Sequence, residues 1–522
     1  MKATGLAMTA ALTAGLAVAF STTFSAPAFA QKSADTLRIG INNPFSSLSQ
    51  YFEATDEASI FTRRIYESLI GYDEYKGKFV PLLAKSWTRV NPTTIEFELR
   101  DDIVFHNGNK FDADDAVDTF NLYADEKTPL RYKSRYNWVQ KAEKLGPYKM
   151  RITTKQPTAI DLGLIAYRYS IEDTESRKTL SDIQDYGRKT PYGTGYYKVV
   201  SIDPAKGVLV ERFDGFKGDK NYARAPVKRF YGVNIPDRQT QIAQLLTGGL
   251  DIVSNIIQDQ ANELKKQPNV EVTAEPSGNF MYFVLASNGK VNKAIANPKV
   301  REALHMAIDR DSIIKYIVPG GEVAEKLEAP CFPSTIGCKH TKSPPPFDRE
   351  KAKKLLAEAG YPNGFELQYV VHAPIKDVAV AISGDLLKIG VKATVSPDPL
   401  QVYRKKQADG TLEAWSIFFP LGNHPDVSSA LDIWFSGERA AYFNNDPIIL
   451  DAMAKGMREM DPVKRDALYQ IALDRNIDMH YVLPISSLPS VYAHTKDVKI
   501  LKDQLSSTER YLGDFAWKDS KL

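Results

Sequence analysis

Leu37, Ile39 and Ile41 alternate with polar neighbours in TLRIGI, the period of a half-buried strand. The same period returns in TIEFELR, where Ile95, Phe97 and Leu99 share a face. GYYKVVSI and GVLVERF, joined by DPAKG, read as a hairpin, and the apolar run FMYFVLASN suits a buried strand. Helical spacing takes over elsewhere. EASIFTRRIYESLIGYD (57–73) reads as a helix, and another begins near Asp112. There Asp112 suits the N-cap and Asp115 the N3 position, where carboxylates meet unpaired amides, while Ala116, Val117 and Phe120 fall on one face.

PDRQTQIAQLLTGGLDIV predicts a helix stopped by Gly248 and Gly249, with a strand after it. In NPKVREALHMAID, Asn297 is the cap, Pro298 opens the helix, and Val300, Leu304, Ala307 and Ile308 form its buried stripe. DREKAKKLLAEAGY runs from Asp348 to a glycine stop at Gly360. Strands and helices are mixed throughout, which makes the fold class α/β, with no internal repeat. The proline-rich TKSPPPFD (341–348) is a loop.

At 522 residues the chain has room for about three domains. Its 67 basic and 64 acidic residues leave a formal charge of +3, spread along the chain. No basic stripe or polybasic tail argues for nucleic acid or an anionic membrane. The first 30 residues differ from the rest. Lys2 is the only charge before Lys32, GLAMTAALTAGLAVAF forms a short apolar core, and Ala28-Phe29-Ala30 offers a small-x-small cleavage site. The run is too short and too rich in threonine for a span of about 20 apolar residues. Residues 1–30 therefore read as a signal peptide cleaved after Ala30, and the mature protein as exported and soluble. Cys331 and Cys338, the only cysteines, are most simply a local disulfide in an exported protein. A metal site with His340 as third ligand is the weaker alternative.

The stretch LRDDIVFHNGNKFDADDAV (99–117) gathers His106 and several aspartates around an Asn-Gly turn, as a hydrolase or metal site would. The rest of the chain gives that reading no support. None of the seven histidines lies in H-E-x-x-H, and neither a G-x-S-x-G elbow nor a Walker loop occurs. GTGYYK (193–198) lacks the third glycine and the strand-turn-helix setting of a dinucleotide loop, so its glycines read as permitting a tight turn. No catalytic constellation, metal site or cofactor is expected.

Leu99-Arg100, Ile103, Phe105-His106-Asn107-Gly108 and Asp112-Ala113-Asp114-Asp115-Ala116 together resemble a signature of the family 5 extracellular solute-binding proteins of ABC importers. Asn107 departs from the family's usual aspartate and Lys110 from its common proline; both lie in the turn. Similar segments follow in family order: IYESLIGYD (65–73), PLLAKSW (81–87), TPYGTGYYKV (190–199), VNIPDRQTQIAQLLTGGLDI (233–252), NPKVREALHMAIDRDSI (297–313) and DREKAKKLLAEAGYPNGF (348–365). The resemblance implies a two-lobed periplasmic-binding-protein fold with a third domain attached to lobe I and a ligand cleft between the lobes. Lobe I is expected over 31–66, 191–294 and 488–522, the extra domain over 67–190, and lobe II over 295–487. It also implies a periplasmic monomer that captures a small solute by hinge closure and hands it to membrane permease subunits. Peptides or peptide-like molecules are the expected solutes; opines, sugars, metal chelates and haem are the alternatives. A secreted hydrolase is the remote reading.

Clefts need polar groups for orientation and aromatics for contact area. Asn42, Phe45 and Ser46 follow the first strand, at the edge where open α/β sheets place ligands. Tyr282 enters before the expected lobe crossing, and Arg404 is a candidate partner for a ligand carboxylate. EAWSIFFPLGNHPD (413–426) resembles the family's ligand-terminus region and contributes Trp415, Phe418, Phe419 and Asn423. In peptide-binding members an aspartate stands three residues after the tryptophan and holds the ligand ammonium; here Phe418 occupies that place, and Asp426 cannot be aligned to it. The first prediction concerns export: N-terminal sequencing of the secreted protein should begin at Gln31, whereas an intact Met1 or Lys2 terminus would contradict cleavage.

Overall fold

The computed structural model describes residues 35–43, 45, 47–53, 55–130, 132–219, 224–420 and 424–520. The expected signal peptide, Ser46 and Asn423 lie outside the described residues, as does the side chain of Phe419. Three sheets organise the chain. A seven-stranded sheet runs in the order Val270–Glu275, Ser490–Thr495, Ile252–Val253, Thr36–Ile41, Arg229–Asn234, Gly207–Arg212, Tyr197–Asp203. Its centre is parallel: Thr36–Ile41 pairs in parallel with Arg229–Asn234 and, at Ile39, with Ile252. A five-stranded sheet runs Lys392–Asp398, Glu366–His372, Ala414–Pro420, Asn279–Leu285, Val482–Ser487. A four-stranded antiparallel sheet, Ala84–Asn91, Thr94–Leu99, Lys149–Thr154, Val139–Gly146, forms the extra domain. Each sheet has its own apolar core.

The strand NFMYFVL corrects one expected boundary. It is apolar on both faces, and it is covered on both edges, by Ala414–Pro420 and by Val482–Ser487. It therefore belongs to the second lobe, whose core begins at Phe280. The chain crosses between lobes at 276–278, not near 294, and returns at 488–489. The two crossings are bonded to each other. Ser277 Oγ donates to Leu488 O at 2.6 Å, and Leu488 N donates to Asn279 O at 2.8 Å.

A second difference lies at residues 57–73. The helix Asp56–Ile65, capped by Thr55, stops at Tyr66, and Ile70–Asp73 is a strand. Tyr66 turns extended because the GTG segment docks on the last helical carbonyls. Gly195 N donates to Ile65 O at 2.9 Å, and a Cβ on Gly193 or Gly195 would lie 2.0 Å from Ile65 O or 2.4 Å from Arg64 O. These glycines serve close backbone approach rather than a left-handed turn.

His106 secures the same contact. Its Nε2 donates to Gly195 O at 2.8 Å and its Nδ1 accepts from Gly193 N at 3.2 Å, which fits a neutral ring. Burial pushes its pKa down to about 4. The aspartates around it have equally structural partners. Asp112 accepts from Asp114 N, Asp115 returns to Asp112 N, and the pair forms the capping box of Ala113–Ala124. Asp101 pairs with Lys85, Asp102 with Arg100, and Asp114 with Lys144. The acidic stretch is a helix start and a charged surface.

Cys331 and Cys338 are joined, with Cα atoms 6.0 Å apart. Closing so short a loop should contribute roughly 2–3 kcal/mol through the unfolded chain. Replacing both by serine should lower the free energy of unfolding in urea by that amount, with a lower midpoint. An unaltered midpoint would show that the bridge holds nothing the fold lacks.

Candidate functional site

The parallel strands Glu366–His372, Lys392–Asp398 and Ala414–Pro420 bring His372, Asp398 and Pro420 to one edge of the second sheet. Carboxyl edges of such strands are where open α/β sheets bind ligands. Phe418 lies there half-buried, its ring 5.4 Å from that of His372. The helix Leu400–Ala408 follows and carries exposed Arg404, whose Nη1 donates to Gln407 Oε1 at 3.0 Å.

A cavity of about 210 Å³ lies at the crossing between the lobes. The first lobe contributes Arg63, Ser254 and Tyr492, the extra domain Arg135 and Arg168, and the crossing Ser277, Gly278 and Asn279. A smaller cavity of about 100 Å³ adjoins it and shares Gln50, Arg63 and Tyr511. Tyrosines hold the arginines in place. The Arg63 guanidinium lies 4.7 Å from the ring centre of Tyr167 and 5.6 Å from that of Tyr511, and Arg135 lies 4.0 Å from Tyr132. Arg64 packs on Tyr511 at 4.3 Å and pairs with Asp503. Burial first, and then the Arg135 charge, push Arg168 down to about 9.

The second lobe touches the extra domain directly. Ala159 N donates to Met457 O at 2.8 Å, and Arg465 Nη1 donates to Ala159 O at 3.0 Å. Gly163 backs onto Pro425 and His424; its Cβ position is 3.4 Å from His424 Cβ. The cavity is thus walled by the first lobe, the extra domain and the crossing, and the second lobe approaches it through His424, which feels the charges of Arg168 and Arg135.

Residues 78–442 match the model of bacterial extracellular solute-binding proteins, family 5 Middle. The chain belongs to this family. It is 27% identical over 487 residues to the glutathione-binding protein GsiB of Escherichia coli K12, covering 88% of this chain and 90% of that one. Among solved structures it superposes on DppA of Helicobacter pylori in complex with peptide STSA (TM-score 0.75, 23% identity, 94% and 100% of the two chains). NikA of Brucella suis in complex with Fe(III)-EDTA is similarly close (TM-score 0.80, 21% identity, 92% and 100%). These likenesses carry the two-lobed fold.

Several expected site residues of this family 5 protein lie elsewhere. Phe45 is 4% exposed and packs on Phe61 at 6.0 Å in the core of the first lobe. Tyr282 is 1% exposed, edge-on to Trp434 at 4.7 Å, and Trp415 is equally buried against Tyr442 at 4.9 Å. Both sit on strands covered from two sides, so their rings go to core rather than cleft. Asn42 is half-buried at the carboxyl edge of the first sheet but lines neither cavity. Asp426 is no ammonium reader: its Oδ1 accepts from Ser428 N and Oγ at 2.9 and 2.7 Å at the start of the helix Ser428–Phe435.

Arg63, Arg135 and Arg168 were not among the expected site residues. No local signal marks them: the rings that hold Arg63 are Tyr167 and Tyr511, both far along the chain.

His424 is buried, and its Nδ1 has no hydrogen-bond partner among the described residues. Burial, then Arg168 and Arg135, push its pKa down to about 3. If opening the lobes returns it to water, its pKa rises toward 6.5, so closure must expel a proton below that pH. The sign is that of a depressed base: closure is fully favoured above about pH 6.5 and weakens as pH falls. Ligand affinity, read by calorimetry, should drop up to about tenfold per pH unit below 6.5, and His424→Gln should abolish that slope. A slope unchanged in the variant would place the titrating group elsewhere.

Proposed function

We propose that this protein is the periplasmic solute-capturing component of an ABC importer, exported after cleavage at Ala30. It closes two lobes on a peptide or peptide-like solute and presents the closed form to the membrane permease, with no chemical turnover. The observation that carries this reading is the placement of the cavity at the outgoing crossing, 276–278, which is bonded to the returning one at 488–489, with walls from the first lobe and the extra domain. Rotation about those segments opens or closes the cavity without disturbing either sheet. The peptide class is supported by the similarity to GsiB, named for a tripeptide, and by the peptide in the DppA complex. Phe418 narrows it. A ring that carries no charge stands where dipeptide-binding members keep an aspartate, so a free α-ammonium group has no partner there. A modified or longer peptide fits better than a plain dipeptide. The protein acts as a monomer and does not bind nucleic acid.

Small-angle scattering with glutathione and tetrapeptides tests the closure. The bound protein should lose radius of gyration on saturation. At about a hundred times its dissociation constant the ligand should also stabilise the fold by roughly 2.7 kcal/mol. Tight binding with no compaction would contradict closure about the crossings.

A further inference from the structure

The loop between Cys331 and Cys338 is bonded to another part of the second lobe. Inside it, Ile336 pairs in parallel with Asp426. Ile336 N donates to Pro425 O at 2.8 Å, and Val427 N donates to Ile336 O at 2.8 Å. Gly337, next along, has a left-handed φ of +81° and lies against Tyr469; a Cβ there would stand 2.6 Å from Tyr469 Cδ2 and 3.1 Å from Val427 Cγ1. Tyr469 is buried and meets Gly456 on its opposite ring edge, where a Cβ would stand 2.5 Å from Cε1.

These same segments carry the contacts of the second lobe with the extra domain. Pro425 faces Gly163, whose Cβ position is 3.0 Å from Pro425 Cδ. Met457, which follows Gly456, accepts from Ala159 N. Arg465 lies one turn before Tyr469 on the helix Pro462–Met479, with its Nε 3.9 Å from Asp426 Oδ2, and its Nη1 donates to Ala159 O. The disulfide loop therefore backs, from within the second lobe, the surface that meets the extra domain. Two backbone hydrogen bonds are a small return for ordering a loop of this length, and a bridge removes much of that ordering cost in advance.

We propose that the Cys331–Cys338 loop is a positioning element for closure. The bridge fixes Ile336, Ile336 fixes Pro425 and Val427, and the second lobe presents its face to the extra domain in register only while the bridge is intact. The proposal rests on the reading of this protein as one that closes on a solute, and deepens it. A bridge that acted on the unfolded chain alone would change stability and leave the affinity of the folded protein untouched. A bridge that places the closing face changes both.

The test compares the full mature protein with Cys331→Ser/Cys338→Ser and with Gly337→Ala, which keeps the bridge but pushes the loop off Tyr469. All are held well below their melting temperatures. Hydrogen exchange at the Val427 amide should quicken about tenfold in both variants, the size expected for loosening a hydrogen bond, while amides of Asn279–Leu285 keep their protection. Glutathione, read by calorimetry, should bind both variants about tenfold more weakly. Ile382→Val, a core change on the helix Lys376–Leu387, should lower the melting temperature and leave both readouts alone. A Val427 amide as slow as wild type in the bridgeless protein overturns the proposal. So does exchange that rises in strand and loop alike, or a glutathione affinity that neither variant changes. Wild-type protein that takes up no glutathione would count against that solute and not against the positioning, and a cross-link between Gly163→Cys and His424→Cys then decides. It should form about tenfold more slowly without the native bridge, and equal rates overturn the proposal.

Discussion

Ser277 Oγ to Leu488 O, and Leu488 N back to Asn279 O, are two short hydrogen bonds that tie the outgoing and returning crossings together. Two strands paired at a crossing can flex as a unit, whereas two separate linkers would let the lobes drift. The lobes themselves are stiff. Each holds a close-packed core in which strand residues such as Phe283 and Val284 are fully buried, and packed interiors resist gradual deformation. Motion is therefore concentrated at 276–278 and 488–489, where little apolar surface is committed.

Charge is distributed around that hinge in an economical way. Arg38 and Arg301 are buried in the scaffold and held by hydrogen-bonded partners. Arg38 meets Asp251 through Nε and Nη2 at 3.0 and 2.9 Å, and Arg301 donates to the carbonyls of Met479, Ile295 and Ala296. The arginines of the cleft are positioned differently, Arg63 and Arg135 over tyrosine rings. Stacking on an aromatic face fixes the orientation of a guanidinium.

The legible parts of this chain were those decided locally. Asn297-Pro298, Asp348 and Asp112 mark helix starts through their own side chains, and all three cap as their positions predict. The hairpin Tyr197–Asp203 with Gly207–Arg212 follows from alternation and its turn. The misplaced parts depend on distant partners. Tyr66 leaves the helix because Gly193 and Gly195 dock on it from far along the chain. Trp415 and Tyr282 looked like cleft aromatics, and only the strand pairing on both sides shows them to be core. The cleft arginines come from three segments whose convergence no local pattern encodes.

The central claim is that solute is held by closure across the mouth of the cleft, and a reversible lock tests it most directly. Gly163→Cys with His424→Cys would put two Cβ atoms about 3.4 Å apart in the closed form, close to the separation a disulfide needs. Protein oxidised with bound solute should keep it through exhaustive dialysis and release it on reduction, and protein oxidised empty should refuse it. Free exchange of solute through the oxidised, cross-linked protein would contradict the account.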